Sequence, residues 1–212
     1  MAKTENITSV ITGDIIGSRD TNGPVWLPKL KTTLSVEGKS PDTWQIFRGD
    51  SFQVEIKNPP NALQTAIRIK ATIKSIKNLD VRMSIGIGKK KSVTRNVAES
   101  DGEAFIFSGE TFETLKKAKR NLAIKTPWAA FDRDMNVCLN LASITLDSWT
   151  PGSAEVVALL IANPTLTQSS LAKKLGVTQP AVSDHHNRSH YETLMELEGL
   201  YREKILKLIA AK

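Results

Sequence analysis

Two aspartates in the N-terminal half are the residues best suited to bind a metal ion. Asp14 follows a buried strand predicted at residues 7–12, and Asp50 lies at the tip of a hairpin predicted between WQIFR and SFQVEI. Gly49, at the first loop position, favours a type II′ turn. Two carboxylates at neighbouring strand ends suit Mg²⁺ that carries nucleotide phosphates. The alternative is that both aspartates only cap turns, for which Asp is a common choice.

Further polar and basic residues are candidates for completing a nucleotide site. The chain has no Gly-x-x-x-x-Gly-Lys-Ser/Thr loop, which excludes a P-loop ATPase, and no Gly-x-Ser-x-Gly motif that would indicate acyl transfer. The candidates are Ser18 and Arg19 for contacts to phosphate oxygens, and Arg48, Lys89, Lys90 and Lys91 for positive charge.

The C-terminal part has the order of caps, helices and turn that is typical of a helix-turn-helix. After a first helix at 153–162, Thr167 is the predicted N-cap of the helix QSSLAKKL. Gly176 ends that helix in the left-handed conformation, and Thr178 caps the next helix. The predicted core shared by the helices consists of Leu171, Ala172, Leu175, Val177 and Val182.

The last of these helices would enter the major groove of double-stranded DNA. Gln179 is suited to pair with adenine, and Thr178 and Ser183 to contact phosphates or base edges. The alternative is a helix pair used only for packing or dimerisation. The candidate DNA-binding residues are Thr178, Gln179, Ala181, Ser183, Asp184 and Arg188.

Three histidines on the same helix raise the question of a metal site. His186 and His190 are four residues apart, a spacing that places two ligands on one helix face. The sequence offers no obvious third ligand nearby. The alternative is a half-buried His186 with two polar surface histidines, His185 and His190.

The elements that must position these residues predict an α+β fold followed by a small all-α domain. Helices are expected at 25–36 and 60–77, a strand at VRMSIGIG (81–88), a basic loop at 88–102, and helices at 111–119 and 128–149. The order β-α-β-β-α-β favours a ferredoxin-like sheet with helices on one face. Pro151-Gly152 marks the predicted boundary between a domain at 1–149 and a helix-turn-helix domain at 150–212.

The charge is unevenly distributed along the chain. The 212 residues carry a net charge of +7, with 40 % apolar and 24 % charged residues, as in a globular protein. Residues 1–149 hold 22 basic against 16 acidic side chains, and residues 150–212 hold seven against six. A module with a net charge of +1 is expected to need two half-sites, so a homodimer is predicted.

A cytoplasmic location is expected. One cysteine, Cys138, excludes an intrachain disulfide and a zinc site made of several thiolates. The first residues lack the apolar core of a signal peptide, and no apolar run reaches membrane-spanning length.

Five sequence blocks together resemble the SatD family of bacterial proteins: ITGDIIGSR, FRGDSFQ, RMSIGIG, SDGEAFIFSGE and LTQSSLAKKLGVTQPAVS. More distantly, Asp14, Gly49-Asp50 and SIGIG resemble the core of class III nucleotidyl cyclases. That resemblance implies that Asp14 and Asp50 bind Mg²⁺ or Mn²⁺ with a nucleotide. The cyclases carry an Asn-x-x-x-Arg pair on a helix after the IGIG-like strand, whereas here this spacing occurs only at Asn78 and Arg82, at the start of the strand.

These features lead to two hypotheses. The first is a DNA-binding regulatory protein whose cyclase-like N-terminal domain senses or processes a nucleotide. The second is a metal-dependent nucleotidyl-transfer enzyme whose helix-turn-helix only recruits or dimerises.

Overall fold

The computed structural model describes residues 6–20, 25–47, 49–92 and 96–211. Within them the chain forms six strands and eight α-helices. The strands are β1 (Ile7–Ile16), β2 (Trp44–Phe47), β3 (Ser51–Ile56), β4 (Asp80–Ser92), β5 (Asp101–Gly102) and β6 (Leu122–Lys125). The helices are α1 (Trp26–Leu34), α2 (Ala62–Lys74), α3 (Glu103–Ala118), α4 (Ala129–Ser148), α5 (Pro151–Ala162), α6 (Gln168–Leu175), α7 (Gln179–Ser189) and α8 (Tyr191–Ala210).

The strands form one mostly antiparallel sheet in the order β2-β3-β1-β4-β5, and β6 joins β4 in parallel. The central pair is β1 with β4, whose register runs from Ile7 opposite Lys89 to Ile16 opposite Asp80. Gly49 has a φ of +87° in the hairpin between β2 and β3, which explains glycine at this position. The prediction of an α+β fold with a helical C-terminal region is confirmed.

Several predicted boundaries are corrected by the hydrogen-bonded ladder. β1 continues to Ile16, so Asp14 lies inside a strand and not after it, because Asp14 still pairs with Arg82 of β4. The predicted basic loop at 88–102 begins as a continuation of β4, to Ser92. The helix expected at 111–119 already begins at Glu103. Strand β6 was not predicted, whereas the long helix expected at 128–149 is confirmed as α4.

Helices cover both faces of the sheet, so the predicted one-sided arrangement is wrong. Ile11 and Ile15 of β1 share a core cluster with α1 and α2 residues, whereas Val10, whose side chain points to the opposite face, packs with Ala104 and Phe105 of α3. Gly86 of β4 makes this second contact possible, because a Cβ there would lie 2.1 Å from the carbonyl oxygen of Ala104.

The main hydrophobic core continues across the predicted domain boundary. Ala154 and Val157 of α5, and Tyr201 and Ile205 of α8, belong to the same buried cluster as the residues of the sheet. The Tyr201 hydroxyl donates a buried hydrogen bond to the carbonyl oxygen of Pro59, at 2.7 Å. The division at residue 150 stays a prediction about folding units, and the helices on either side of it pack as neighbours.

Candidate functional site

The local structure of α6 and α7 follows from the capping residues. The Thr167 hydroxyl accepts a hydrogen bond from the backbone N–H of Ser170 at the start of α6, and Thr178 does the same for Ala181 at the start of α7. Gly176 ends α6 with a φ of +66°. The predicted caps and turn are therefore present in the structure.

A small separate core fixes the angle between these helices. Val156 and Leu160 of α5 pack with three of the predicted core residues, namely Leu171, Ala172 and Val182. The fourth, Leu175, is half-buried and packs against this cluster. Val177 was predicted to be buried but is 42 % exposed, because the turn directs it away from the helices.

The predicted DNA-binding residues form the outer side of α7. Gln179, Asp184 and Arg188 are exposed, and Ala181 and Ser183 are half-buried. Hydrogen bonds order some of these side chains: Ser169 of α6 donates to Gln179 Oε1 at 3.3 Å, and Arg188 Nε donates to Asp184 Oδ1 at 3.0 Å. Thr178 acts mainly as the helix cap. The surface has the length and polarity to lie along a DNA groove.

A hydrogen bond connects the C-terminal end of α7 to Trp149, which follows α4. The Trp149 indole N–H, buried between the elements, donates to the carbonyl oxygen of Ser189 at 3.0 Å. Helix α8 follows directly, and residues 126–211, all of them described, contain no strand.

Two of the three histidines have structural surroundings, whereas His190, predicted on the same helix, is the left-handed C-cap that follows the last residue of α7. The His186 ring packs on Tyr191 with centroids 5.8 Å apart and its Nε2 lies 3.4 Å from Glu192, while the His185 ring covers Gly152. No group of three potential metal-ligating side chains occurs in the part of the chain that the structure describes.

Comparison with protein families gives a winged helix-turn-helix DNA-binding family, whose model matches residues 155–188. A winged helix-turn-helix DNA-binding domain is therefore detected at these residues. The match begins in α5 and ends at Arg188, before α8. A search among curated proteins found no match. The domain supports a DNA-binding regulator in general terms. Among the described helices, none combines the length and apolar character needed to cross a membrane.

Away from the winged helix-turn-helix domain, the structure brings Asp14 and Asp50 together at one end of the central strands. The backbone N–H of Ile15 donates to the carbonyl oxygen of Asp50 at 3.1 Å, which holds the β2–β3 hairpin against β1. The hydroxyl of Ser18 donates to Asp50 Oδ2 at 2.7 Å. Asp14 and Asp50 are both partly exposed, so a ligand has access to them.

The Asp14 carboxyl has a raised pKa and one oxygen without a hydrogen-bond partner among the described residues. Burial raises the pKa of the Asp14 carboxyl above its usual range, and the like charge of Asp50 adds to the rise, whereas Arg82 and Lys116 oppose it. Arg82 Nη1 lies 3.4 Å from Asp14 Oδ2. Asp14 Oδ1 is buried and has no hydrogen-bond partner among the described residues. A cation at this point would satisfy that oxygen.

These residues fit a divalent ion that keeps most of its waters. Mg²⁺ is commonly held by one or two carboxylates together with substrate phosphates and water, whereas a cage made of protein groups alone needs more ligands. Asp14 and Asp50 would supply the two carboxylates. Arg82 and Lys116 were not assigned to the site from the sequence. Arg82 could have been found from the strand register, because it faces Asp14 across the β1–β4 pair.

The lysines predicted to supply charge to this site do not reach it. Lys89 pairs with Ile7, seven positions along β1 from Asp14, which corresponds to roughly 24 Å. Lys90 is committed to a buried ion pair with Glu55, at 2.7 Å. Lys91 is exposed near Lys89, at the same remote end. The structure therefore does not bring the three lysines, which were predicted to supply positive charge, to Asp14 and Asp50.

Two arginines, Arg19 and Arg48, were also predicted to belong to this site. Arg19 is exposed in the short helical turn after β1, next to Ser18, whose hydroxyl binds Asp50. Arg48 lies outside the described residues.

Proposed function

We propose that this protein is a regulator that binds double-stranded DNA through α7 and binds a nucleotide with Mg²⁺ or Mn²⁺ at Asp14 and Asp50. The winged helix-turn-helix domain is the observation that carries the DNA-binding part. The resemblance to the core of class III nucleotidyl cyclases supports the second part, together with the two adjoining carboxylates.

The DNA-binding part is tested by replacing two side chains of α7 that could contact bases. The double variant Gln179→Ala, Ser183→Ala should bind DNA with reduced sequence preference, because each lost base contact costs on the order of 1–3 kcal/mol of discrimination. Thr114→Ala, an exposed position on α3, is the matched control. Genomic fragments retained by each protein would be sequenced, and affinities measured by fluorescence anisotropy at several salt concentrations. Identical fragment preferences for all three proteins would refute the assignment of α7 as the reader.

The second candidate is a nucleotidyl-transfer enzyme that uses the same carboxylates. The observation in its favour is the closeness of Asp14 and Asp50, which suits a metal that activates a phosphate. In this case, incubation with purine nucleoside triphosphates and Mn²⁺ or Mg²⁺ should give a new product on chromatography, and Asp50→Asn should give none. Nucleotide binding without turnover favours the sensing function.

A further inference from the structure

Helix α4 exposes an apolar stripe on the side that faces away from the core. Val137, Leu141 and Ile144 are 57 %, 64 % and 72 % exposed. They are spaced by four and three residues and therefore lie on one side of the helix. The opposite side of α4 is apolar as well, since Met135 and Leu139 are buried in the main core. A helix that is apolar on both sides is normally covered on both sides.

An open groove beside this stripe offers space for side chains from another molecule. It lies between α4 and α8 and has a volume of about 320 Å³. Its floor and walls are mostly apolar, which favours aliphatic side chains over a charged ligand. The residues that line it include Cys138, Leu141, Ala142, Thr145, Leu194 and Leu197.

The N-terminal end of the stripe carries an exposed ion pair, whereas its C-terminal end is basic. Asp134, exposed and 3.2 Å from Arg133, lies at the N-terminal end of α4. Lys119 and Arg120 line a depression beside Ile144 at the C-terminal end. The one carboxylate in that depression, Asp147, is already bound by Lys70 and Asn121.

We propose that a second copy of this chain covers the stripe, with the two α4 helices antiparallel across a two-fold axis near Leu141. A two-fold axis brings the same patch of both copies together, so the patch must be complementary to itself. In an antiparallel pair centred on Leu141, residue 134 lies opposite residue 148 of the other copy, about 10 Å from the axis. Asp134 of each copy then lies near the basic end of the other, and the apolar side chains meet in the middle.

The groove along α8 enlarges the contact beyond a single pair of helices. A stable dimer buries about 800 Å² of each partner, more than three exposed side chains provide. Side chains from the partner's stripe entering the groove bring α8 into the interface. The dimer also presents two copies of α7, which suits a module of low net charge. The inference does not depend on DNA binding, because it is tested without DNA.

The first test compares an apolar-to-charged substitution in the stripe with the same substitution elsewhere. Sedimentation velocity of the full chain over a range of concentrations should show a species of twice 23.3 kDa. Ile144→Glu should raise the dimer dissociation constant at least tenfold. Val36→Glu, at a position that is 64 % exposed outside this surface, should leave it unchanged. A monomeric wild type, or equal dimerisation of the two variants, would overturn the proposal.

The second test addresses the orientation of the two copies. Asp134→Arg and Arg120→Glu should each weaken dimerisation, and the double variant should regain affinity because the opposite charges meet again in exchanged positions. All three positions of the test, Ile144, Asp134 and Arg120, are exposed, so the substitutions should leave the fold of each copy unchanged, and the far-UV circular dichroism spectrum should match that of the wild type. Two weakened single variants without recovery in the double variant would overturn the antiparallel arrangement.

Discussion

Asp50→Asn separates a metal-binding role of the aspartates from a role in capping turns. The asparagine keeps an oxygen that can accept the hydrogen bond from Ser18, so the hairpin should be retained. Removal of the charge also relieves the repulsion that Asp50 exerts on Asp14. The unliganded variant should therefore unfold at the wild-type temperature or slightly above it.

The effect of the substitution should appear only when ligand is present. A ligand at a hundredfold excess over its dissociation constant stabilises the folded state by about 2.7 kcal/mol. The entropy of unfolding of a chain of 212 residues is about 0.45 kcal/mol/K, from about 2.1 cal/mol/K per residue. Wild-type protein should then melt about 6 °C higher with Mn²⁺ and nucleotide. Asp50→Asn should lose this shift.

The assay is a melting scan of three proteins, with and without Mn²⁺ and each nucleoside triphosphate. Asp42→Asn, which removes an exposed carboxylate outside the site, is the matched control and should respond like wild type. If the aspartates only cap turns, none of the proteins will respond to ligand. The absence of any shift in the wild type would refute the nucleotide site for the ligands tested, and a full shift in Asp50→Asn would refute the role of Asp50.

Three further predictions follow from single contacts. Burial raises the pKa of Asp14, so its ionised form opposes folding at neutral pH, and this penalty disappears below the ordinary pKa of 3.8. Urea unfolding should therefore show that Asp14→Asn is more stable than the wild type at pH 7 but not at a pH below 3.8. Ala172→Leu should lower the free energy of unfolding by about 1–3 kcal/mol, because it overpacks the core between α5, α6 and α7. A variant with the stability and DNA affinity of the wild type would contradict this. Trp149→Phe should cost about 1–3 kcal/mol by leaving the buried carbonyl of Ser189 unpaired, and an unchanged urea midpoint would show that water replaces the indole.

The helix-turn-helix could be predicted from the sequence because its signals are local. Thr167, Gly176 and Thr178 act through hydrogen bonds and backbone angles within a few residues of themselves. Val177 was misplaced because its burial depends on which way the turn directs the side chain.

The candidate nucleotide site was only partly predictable because its geometry depends on long-range pairing. Asp14 and Asp50 were identified from local turn signals, and the β1–β3 pair does bring them together. Arg82 reaches the site through strand register, which a one-residue slip would change completely. The same register places Lys89 at the opposite end of the β1–β4 pair, which the charge pattern of the sequence could not reveal. Helix α8 was missed because its buried residues, such as Tyr201, pack on elements far away in sequence.

The candidate nucleotide site and α7 are linked by ion pairs, a hydrogen bond and short stretches of the chain. Arg82, which faces Asp14, lies two residues after Asp80 at the start of β4. Lys70 of α2 contacts Asp80 at 2.6 Å and Asp147 of α4 at 2.5 Å. Two residues after Asp147 comes Trp149, whose indole N–H donates to the carbonyl oxygen of Ser189, the last residue of α7.

A chain of contacts becomes a regulatory path only if one of its elements has two arrangements of different ligand affinity. The Lys70 ammonium is buried between two carboxylates on different elements, so movement of either element removes one of its two ion-pair partners and is opposed. The contacts therefore favour concerted over independent displacement of β4 and the end of α4. Coupling between two binding sites is reciprocal. If a nucleotide changes the affinity for DNA by some factor, DNA must change the affinity for that nucleotide by the same factor. Measurement of both affinities on one preparation decides whether this rigid connection transmits a signal or only holds the winged helix-turn-helix domain in place.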